Sequence, residues 1–401
     1  MPLRRGFRDH KSEVRPTVMI KVAMILGHDL LIPNEDTRVY REALSLVKAG
    51  YEVTVFCWSR RADKHETKWD EERDGILVVR VFQELSGGFF SKVRGFRKAM
   101  KQLQEKVIEY EPDIIHAHDL ETLDSAIKAA AMNNAKVIFD SHEDWPMMEI
   151  VQNWFIGKYY ERKQRSLIKK VDAILTVSDE LAVRLGGATV LYNSEPLELV
   201  TRPVQTDRFG LDGVVAGYIG GLRKPILEEI LEATAKVSAL SLLIVGGPPK
   251  GQPGYSGMIE ELEEIATEKG ANAKFTGPLP YSMMSECYKT CDILIVGHYV
   301  DERLRDYAIP KKLLDAMAYK VPVIVGPYEA RRKIVERYQC GMVSDDWIDT
   351  LTELSNDKEL RLKMGENGFK AFKMNYSWEL QEKKLLDIYE NLLEDVAGGE
   401  K

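Results

Sequence analysis

Apolar residues along the chain fall into short runs separated by segments with helical spacing. Residues 18–26 are an apolar run, followed by a loop over 27–34. Asp36 can then cap a helix in which Val39, Ala43, Leu44 and Val47 share one face. Gly50 ends that helix, and residues 51–57 are rich in β-favouring side chains. Residues 76–81, 113–116, 136–139 and 173–177 follow as strand candidates, with helical patterns between most of them. Short strands alternating with helices predict parallel βαβ units whose strands are buried on both faces. The pattern restarts after a proline-marked stretch over 196–212, with strand candidates at 214–219, 242–245, 274–276, 292–296 and 322–325. The last segment, 378–396, is a long amphipathic helix with no strand after it, expected to pack back across the domain junction. The fold class this predicts is α/β, with two Rossmann-like doubly wound domains facing an interdomain cleft. The expected division is a flexible polar and basic tail over 1–17, a first domain over 18–200, a second over 201–375, and the C-terminal helix over 376–401.

Length supports two units, because 401 residues exceed one ordinary core. At 44% hydrophobic and 30% charged the composition is that of a globular protein. No stretch approaches the roughly 20 apolar residues that a membrane span needs. The N-terminus shows no signal-peptide apolar region, so a cytoplasmic location is expected. The net charge of −7 argues against a general nucleic-acid binder. The acidic excess lies mostly beyond residue 200, which leaves the first half free to meet an anionic partner. Cys287 and Cys291 have helical spacing, but no further His or Cys stands near enough in sequence to complete a zinc site. No metal site is expected, and the thiols are expected to be buried.

Open parallel sheets bind ligands beyond the carboxyl ends of their strands. Those ends carry Gly27, His28 and Asp29, then His116, His118 and Asp119, then His142 and Glu143, and in the second half Gly220, Gly221, Gly246 and Gly247. Four of the seven histidines sit there. The first loop lacks the Gly-x-Gly-x-x-Gly spacing of a dinucleotide site, and residues 246–254 lack the Gly-Lys-Ser/Thr ending of a phosphate-binding P-loop.

From about Met19 to Tyr389 the sequence resembles family 4 of the glycosyltransferases, of the two-domain GT-B architecture. The resemblance is carried by Asp36-Thr37-Arg38-Val39 with Glu42-Ala43-Leu44-Ser45-Leu46, by Ala49-Gly50-Tyr51-Glu52-Val53, by the segments 113–119 and 140–143, and by Gly217-Tyr218-Ile219-Gly220-Gly221. Its most specific part is Pro310-Lys311-Lys312-Leu313-Leu314-Asp315-Ala316-Met317-Ala318. The family usually places two glutamates eight residues apart here, where this chain has Tyr307 and Asp315. A helix beginning near Ile309 would turn its free N–H groups toward a diphosphate. Asp315 would accept from the ribose hydroxyls. Arg223 and Lys224 would hold the phosphates against charge developing in the transition state.

The resemblance implies transfer of a sugar from a nucleotide-sugar donor, a UDP- or GDP-sugar, to a glycan or lipid-linked acceptor hydroxyl. It implies retention of configuration and a hexosyltransferase class, and no cofactor or metal is expected. His118, placed in the loop beyond the strand, is the expected catalytic residue. Gly27, Gly220, Gly221, Arg223, Lys224, Gly247, Tyr307, Ile309, Pro310, Lys312, Leu313 and Asp315 are the expected donor contacts. His142 and Glu143 are the expected acceptor contacts. A nucleotide-sugar epimerase or phosphorylase on the same fold, or a degraded nucleotide-sugar-binding subunit suggested by Tyr307, are the other readings. Residues 89–101 hold five basic and no acidic side chains with three aromatics among them, and 154–170 mix Trp154, Phe155, Tyr159 and Tyr160 with Lys158, Arg162, Lys163, Arg165, Lys169 and Lys170. Both suit peripheral contact with an anionic membrane surface; a solvated helix face over core phenylalanines is the alternative.

Overall fold

The computed structural model describes residues 19–31, 36–59, 69–85, 87–206, 209–247, 257–297 and 309–398. The tail over 1–17 and Tyr307 lie outside them. In the first half the strands are β1 (Lys21–Leu26), β2 (Glu52–Ser59), β3 (Asp70–Arg73), β4 (Ile76–Phe82), β5 (Ile114–His118), β6 (Lys136–Ser141), β7 (Ala173–Thr176) and β8 (Thr189–Val190). They form one sheet in the order β3-β4-β2-β1-β5-β6-β7-β8. Every pair is parallel except β3 with β4. The second half supplies β9 (Val214–Ile219), β10 (Leu240–Val245), β11 (Ala273–Phe275), β12 (Ile293–Val296), β13 (Val323–Val325) and β14 (Gly341–Val343). These make a parallel sheet in the order β11-β10-β9-β12-β13-β14.

The central strands are apolar on both faces because helices cover both. Val22 to Leu26 are wholly buried, with Ala23 and Ile25 in one core cluster and Val22, Met24 and Leu26 in another. Asp36 starts the first helix (Thr37–Lys48) by accepting from the backbone N–H groups of Arg38 and Val39 at 3.1 and 3.2 Å. Strand β3 went unpredicted because Asp-Glu-Glu-Arg carries no apolar alternation. It is an edge strand turned back on β4 through Asp74 and Gly75, both at positive φ. Strands β8 and β14, at two and three residues, are too short to leave a pattern.

In each sheet the chain order reverses beside the first strand, between β1 and β5 and between β9 and β12. Such a switch point opens a crevice at the strand ends, and it places the site. At the second one, Gly220 and Gly246 lie at φ +129° and +133°. A Cβ on Gly246 would stand 2.0 Å from the Gly220 carbonyl oxygen, so only glycine lets the ends of β9 and β10 approach this closely.

The C-terminal helix (Trp378–Gly398) crosses back to the first domain. Its Leu385, Tyr389 and Leu392 join the cluster of Leu26, Val39 and Ala43. Trp378 Nε1 donates to Ser45 Oγ at 3.2 Å. Among the described residues no helix is long and apolar enough to cross a membrane. All four cysteines are free and buried.

Candidate functional site

A cleft of about 330 Å³ lies between the two sheets. Asp36, Arg38, His142 and Glu143 line it from the first domain, and Ile309, Pro310 and Lys311 from the second.

The first-domain wall rests on a buried ion network. Arg38 sets its guanidinium fork on Asp140, with Nε and Nη2 each 2.9 Å from a carboxylate oxygen, and Nη1 donates to the Leu191 carbonyl at 2.6 Å. Its Nε also lies 3.1 Å from Glu42 Oε1. Burial lifts the Glu42 carboxyl; Arg38 opposes this and Asp140 adds to it, leaving it at about 8 and hence protonated at neutral pH. Burial would raise Asp140 too, but Arg38 and His142 hold it well below the usual carboxylate range.

His116 and His118, stacked with ring centroids 4.3 Å apart, are pushed down by burial and are neutral. His116 Nδ1 meets the Tyr389 hydroxyl at 2.9 Å, so the returning helix fixes that ring. His142 is the opposite case. Burial lowers it, but the Asp119 and Asp140 carboxylates outweigh burial and lift it to about 10. Its Nε2 stands 3.2 Å from Asp140 Oδ2 and 3.1 Å from His118 Nδ1. His142 is therefore an imidazolium on the cleft wall, backed by a neutral His118.

Single atoms of Glu42, His116, His118 and Asp140 all lie within 4.8 Å of one another, a grouping that could ligate a metal ion. Here the Arg38 guanidinium already lies against Asp140 and Glu42 and supplies the positive charge. The donor set therefore does not fit a second cation well.

An unfolded histidine titrates near 6.5, and folded His142 near about 10. Its proton stabilises the fold fully below pH 6.5, and that contribution is lost as pH rises through about 10. Thermal unfolding followed from pH 6.5 to 10 is expected to show falling stability, with a shallower fall in His142→Gln. Equal slopes would show that His142 does not carry the effect.

The second-domain wall gathers cations. Lys312, in the helix Lys311–Ala318, lies over the Tyr218 ring at 5.3 Å. Its Nζ stands 2.8 Å from where a Cβ on Gly220 would be. Burial lowers it to about 8, helped by the nearby Arg331 and Arg223. Among the described residues it makes no ion pair. Arg331 is buried and donates to the Gly297 carbonyl at 3.2 Å, beside the end of β12. Lys311 turns to the domain junction. It bonds both oxygens of Asp315 at 2.8 Å and pairs with Glu195, which Arg41 of the first domain also holds at 2.7 Å. Tyr281 donates to the same Glu195 oxygen. This Arg41–Glu195–Lys311 chain ties the domains together next to the cleft.

Gly220, Gly221, Arg223 and Lys312 come together at the end of β9, while Ile309, Pro310, His142 and Glu143 meet at the cleft. Burial and the Asp119 charge raise the Glu143 carboxyl. Gly247 lies against Pro278, and Gly27 packs against Glu121 of the first domain.

Three placements differ from the expectation, those of His118, Leu313 and Lys224. His118 is the last residue of β5, fully buried rather than in a loop, because the apolar run continues through Ala117; it reaches the cleft only through His142. Leu313 is wholly buried in the second core, on the inner face of its helix. Lys224 pairs with Glu261 and Glu228 on the exposed surface, on a helix pointing it outward. Asp315 accepts from Lys311 with both oxygens and from Tyr288 at 2.9 Å, and burial raises it to about 6. Asp36, Arg38 and Lys311 were missed as site residues. The signals were present: Asp36-Thr37-Arg38 begins the first helix after β1, and Lys311 stands inside the most specific motif.

Two doubly wound domains facing one cleft, with cations gathered at one wall and histidines at the other, define the GT-B class of glycosyltransferase. The model of Glycosyltransferase Family 4 matches residues 36–208, and that of Glycosyl transferases group 1 matches 215–371. The chain belongs to family 4 of the glycosyltransferases. It is 22% identical to a D-inositol 3-phosphate glycosyltransferase of Corynebacterium aurimucosum, over 88% of this chain and 89% of that one. Among solved structures it is similar to sucrose-phosphate synthase from Thermosynechococcus elongatus, with a TM-score of 0.75 at 16% identity, covering 94% of this chain and all of the other. It is also similar to HepE of Anabaena in complex with UDP-glucose, with a TM-score of 0.67 at 14% identity over 93% of this chain.

Proposed function

We propose that this glycosyltransferase takes a hexosyl group from a nucleoside-diphosphate sugar and passes it, with retention and without a metal, to a glycan or lipid-linked acceptor hydroxyl. The observation that carries the reading is Lys312. A half-buried lysine, depressed to about 8 beside two arginines and without a carboxylate partner among the described residues, is costly unless an anion completes it. The start of the helix Lys311–Ala318 adds its dipole to the same place. A diphosphate leaving group fits, and the UDP-glucose bound to HepE is of that class.

These cations do the electrostatic work that a divalent ion would otherwise do. Across the cleft, His142 is already protonated, so it donates and does not accept. The proton of the acceptor hydroxyl then goes to the departing phosphate, which is consistent with retention by a front-face displacement. His142 and Glu143 orient the acceptor, and His118 positions His142.

One experiment tests this. A panel of UDP-, GDP- and ADP-sugars is incubated with the protein and hydroxyl acceptors, with and without EDTA, and the product anomer is read by NMR. The expected result is turnover with one donor class, unchanged by EDTA, with the anomeric configuration kept. Turnover abolished by EDTA and restored by a divalent ion would remove metal independence. An inverted product would remove the front-face step. Epimerisation of the donor without any acceptor would favour the epimerase reading.

A further inference from the structure

We propose that the first domain docks on an anionic lipid bilayer through the N-terminal parts of two helices on one face of its sheet, Phe89–Tyr110 and Trp154–Leu167. Phe90, Trp154, Phe155 and Tyr159 are 86%, 56%, 79% and 61% exposed. Exposed aromatics that pack on one another, as Trp154 and Phe155 do with ring centroids 5.1 Å apart, mark a contact surface rather than ordinary solvent-facing residues. Only part of the aromatic content of these helices serves the core. Phe96 packs edge-on to Trp58 with ring centroids 5.8 Å apart, and Tyr160 packs against the same cluster. The two helices share one face of the first sheet, since Phe96 and Tyr160 join one core cluster and Arg97 lies close enough to act electrostatically on the Tyr160 hydroxyl.

Charge decides the occupant. Some surface cations elsewhere are matched to acids one helical turn away, as in Lys128–Asp124, Lys236–Glu232 and Arg332–Glu336. Lys92, Arg94, Arg97, Lys98, Arg162 and Lys163 form no ion pair among the described residues. Glu161, the only acid between 154 and 170, is held by Lys158 and Arg165. Unmatched cations interleaved with exposed aromatics complement a bilayer carrying anionic headgroups, with rings seated at the headgroup level and ammonium or guanidinium groups above them.

The surface also adjoins the cleft. Met148, on the helix Trp145–Gln152, lines the cleft. That helix packs against Trp154–Leu167 so closely that a Cβ on Gly157 would stand 2.4 Å from the Ile150 backbone nitrogen. Docking through the aromatic edge therefore brings the mouth of the cleft to the bilayer, where a lipid-linked hydroxyl would enter. This last step rests on the transferase reading above; the docking itself does not.

The full chain is sedimented with vesicles of phosphatidylcholine alone and with vesicles containing phosphatidylglycerol, without donor. Pelleting is expected with the anionic vesicles and is expected to fall as salt is raised. The pair Trp154→Ser and Phe155→Ser, and separately the pair Lys98→Glu and Arg162→Glu, should each lower partitioning about ten-fold or more, since each cation near such a surface contributes about five-fold. Both pairs lie on exposed positions, so unchanged melting and unchanged UDP binding by calorimetry would show that the losses are not unfolding. Equal pelleting with neutral and anionic vesicles, or none with either, overturns the proposal. So does self-association in gel filtration that Phe155→Ser abolishes while vesicles go unbound, because the aromatic edge would then join two copies of the chain. A protein that pellets but binds no nucleotide keeps the docking surface and loses the transferase reading instead.

Discussion

Arg38→Met should be the most destabilising single change in the first domain, at about 3–5 kcal/mol. Arg38 is buried, and it holds Asp140 by two bonds while lying against Glu42. Methionine fills much of its volume but leaves the Asp140 carboxylate buried with only His142 to balance it. For a domain of this size the loss corresponds to a fall in melting temperature of on the order of 10 °C. Arg38→Lys keeps the charge without the fork and should lie between the two. Adding Asp140→Asn to Arg38→Met removes the stranded charge and should recover part of the loss, the coupling expected of residues in one network. Circular dichroism melting of the four proteins checks this. A methionine variant within about 1 kcal/mol of the parent would mean that the network stabilises little.

Lys312→Ala is expected to weaken nucleotide binding by about 1.5–3 kcal/mol, roughly ten- to a hundred-fold, the range for hydrogen bonds to a charged group. The stability of the empty protein should move the other way. Lys312 is depressed to about 8 by burial and by Arg331 and Arg223, from an ordinary value of 10.5. The folded state therefore disfavours its charge. That penalty is present below about 8 and relieved as pH rises toward 10.5. Removing the ammonium should leave melting unchanged or raised at neutral pH while affinity falls. Calorimetry with UDP and GDP, together with thermal melting, separates the outcomes. Unchanged affinity would take Lys312 out of the site, and a large loss of stability would make it structural. The same experiment on Lys224, which is paired with Glu261 on the surface, should change neither.

Much of the architecture was readable in the chain because it depends on local pattern. The apolar runs at 214–219 and 292–296 are buried on both faces, and that demands a parallel sheet covered by helices. Asp36 announces the first helix because a cap acts within four residues. The histidines at 116, 118 and 142 were legible as site candidates because a parallel sheet gathers its ligands at the carboxyl ends of its strands. Pro310 to Ala318 drew attention to the correct helix.

What the sequence could not decide was which of these side chains faces the cleft, since partners far apart in the chain set that. Lys312 and Asp315 stand three residues apart on one helix. Tyr288 and Lys311 take up Asp315, and Glu195, brought in from the connector between the domains, holds Lys311 beside it. Lys312 is turned toward Gly220 with the two arginines around it. His118 and His142 both follow apolar runs and look alike in sequence. Asp119 and Asp140, together with the depth of each ring, make one neutral and buried and the other charged and exposed to the cleft. The sequence by itself determined the two sheets and the short set of residues able to act at their strand ends. The tertiary structure alone decided the charge and direction of each, because electrostatic energy depends on distance and burial, and both are set by chain segments far apart in sequence, 273 residues in the contact of His116 with Tyr389.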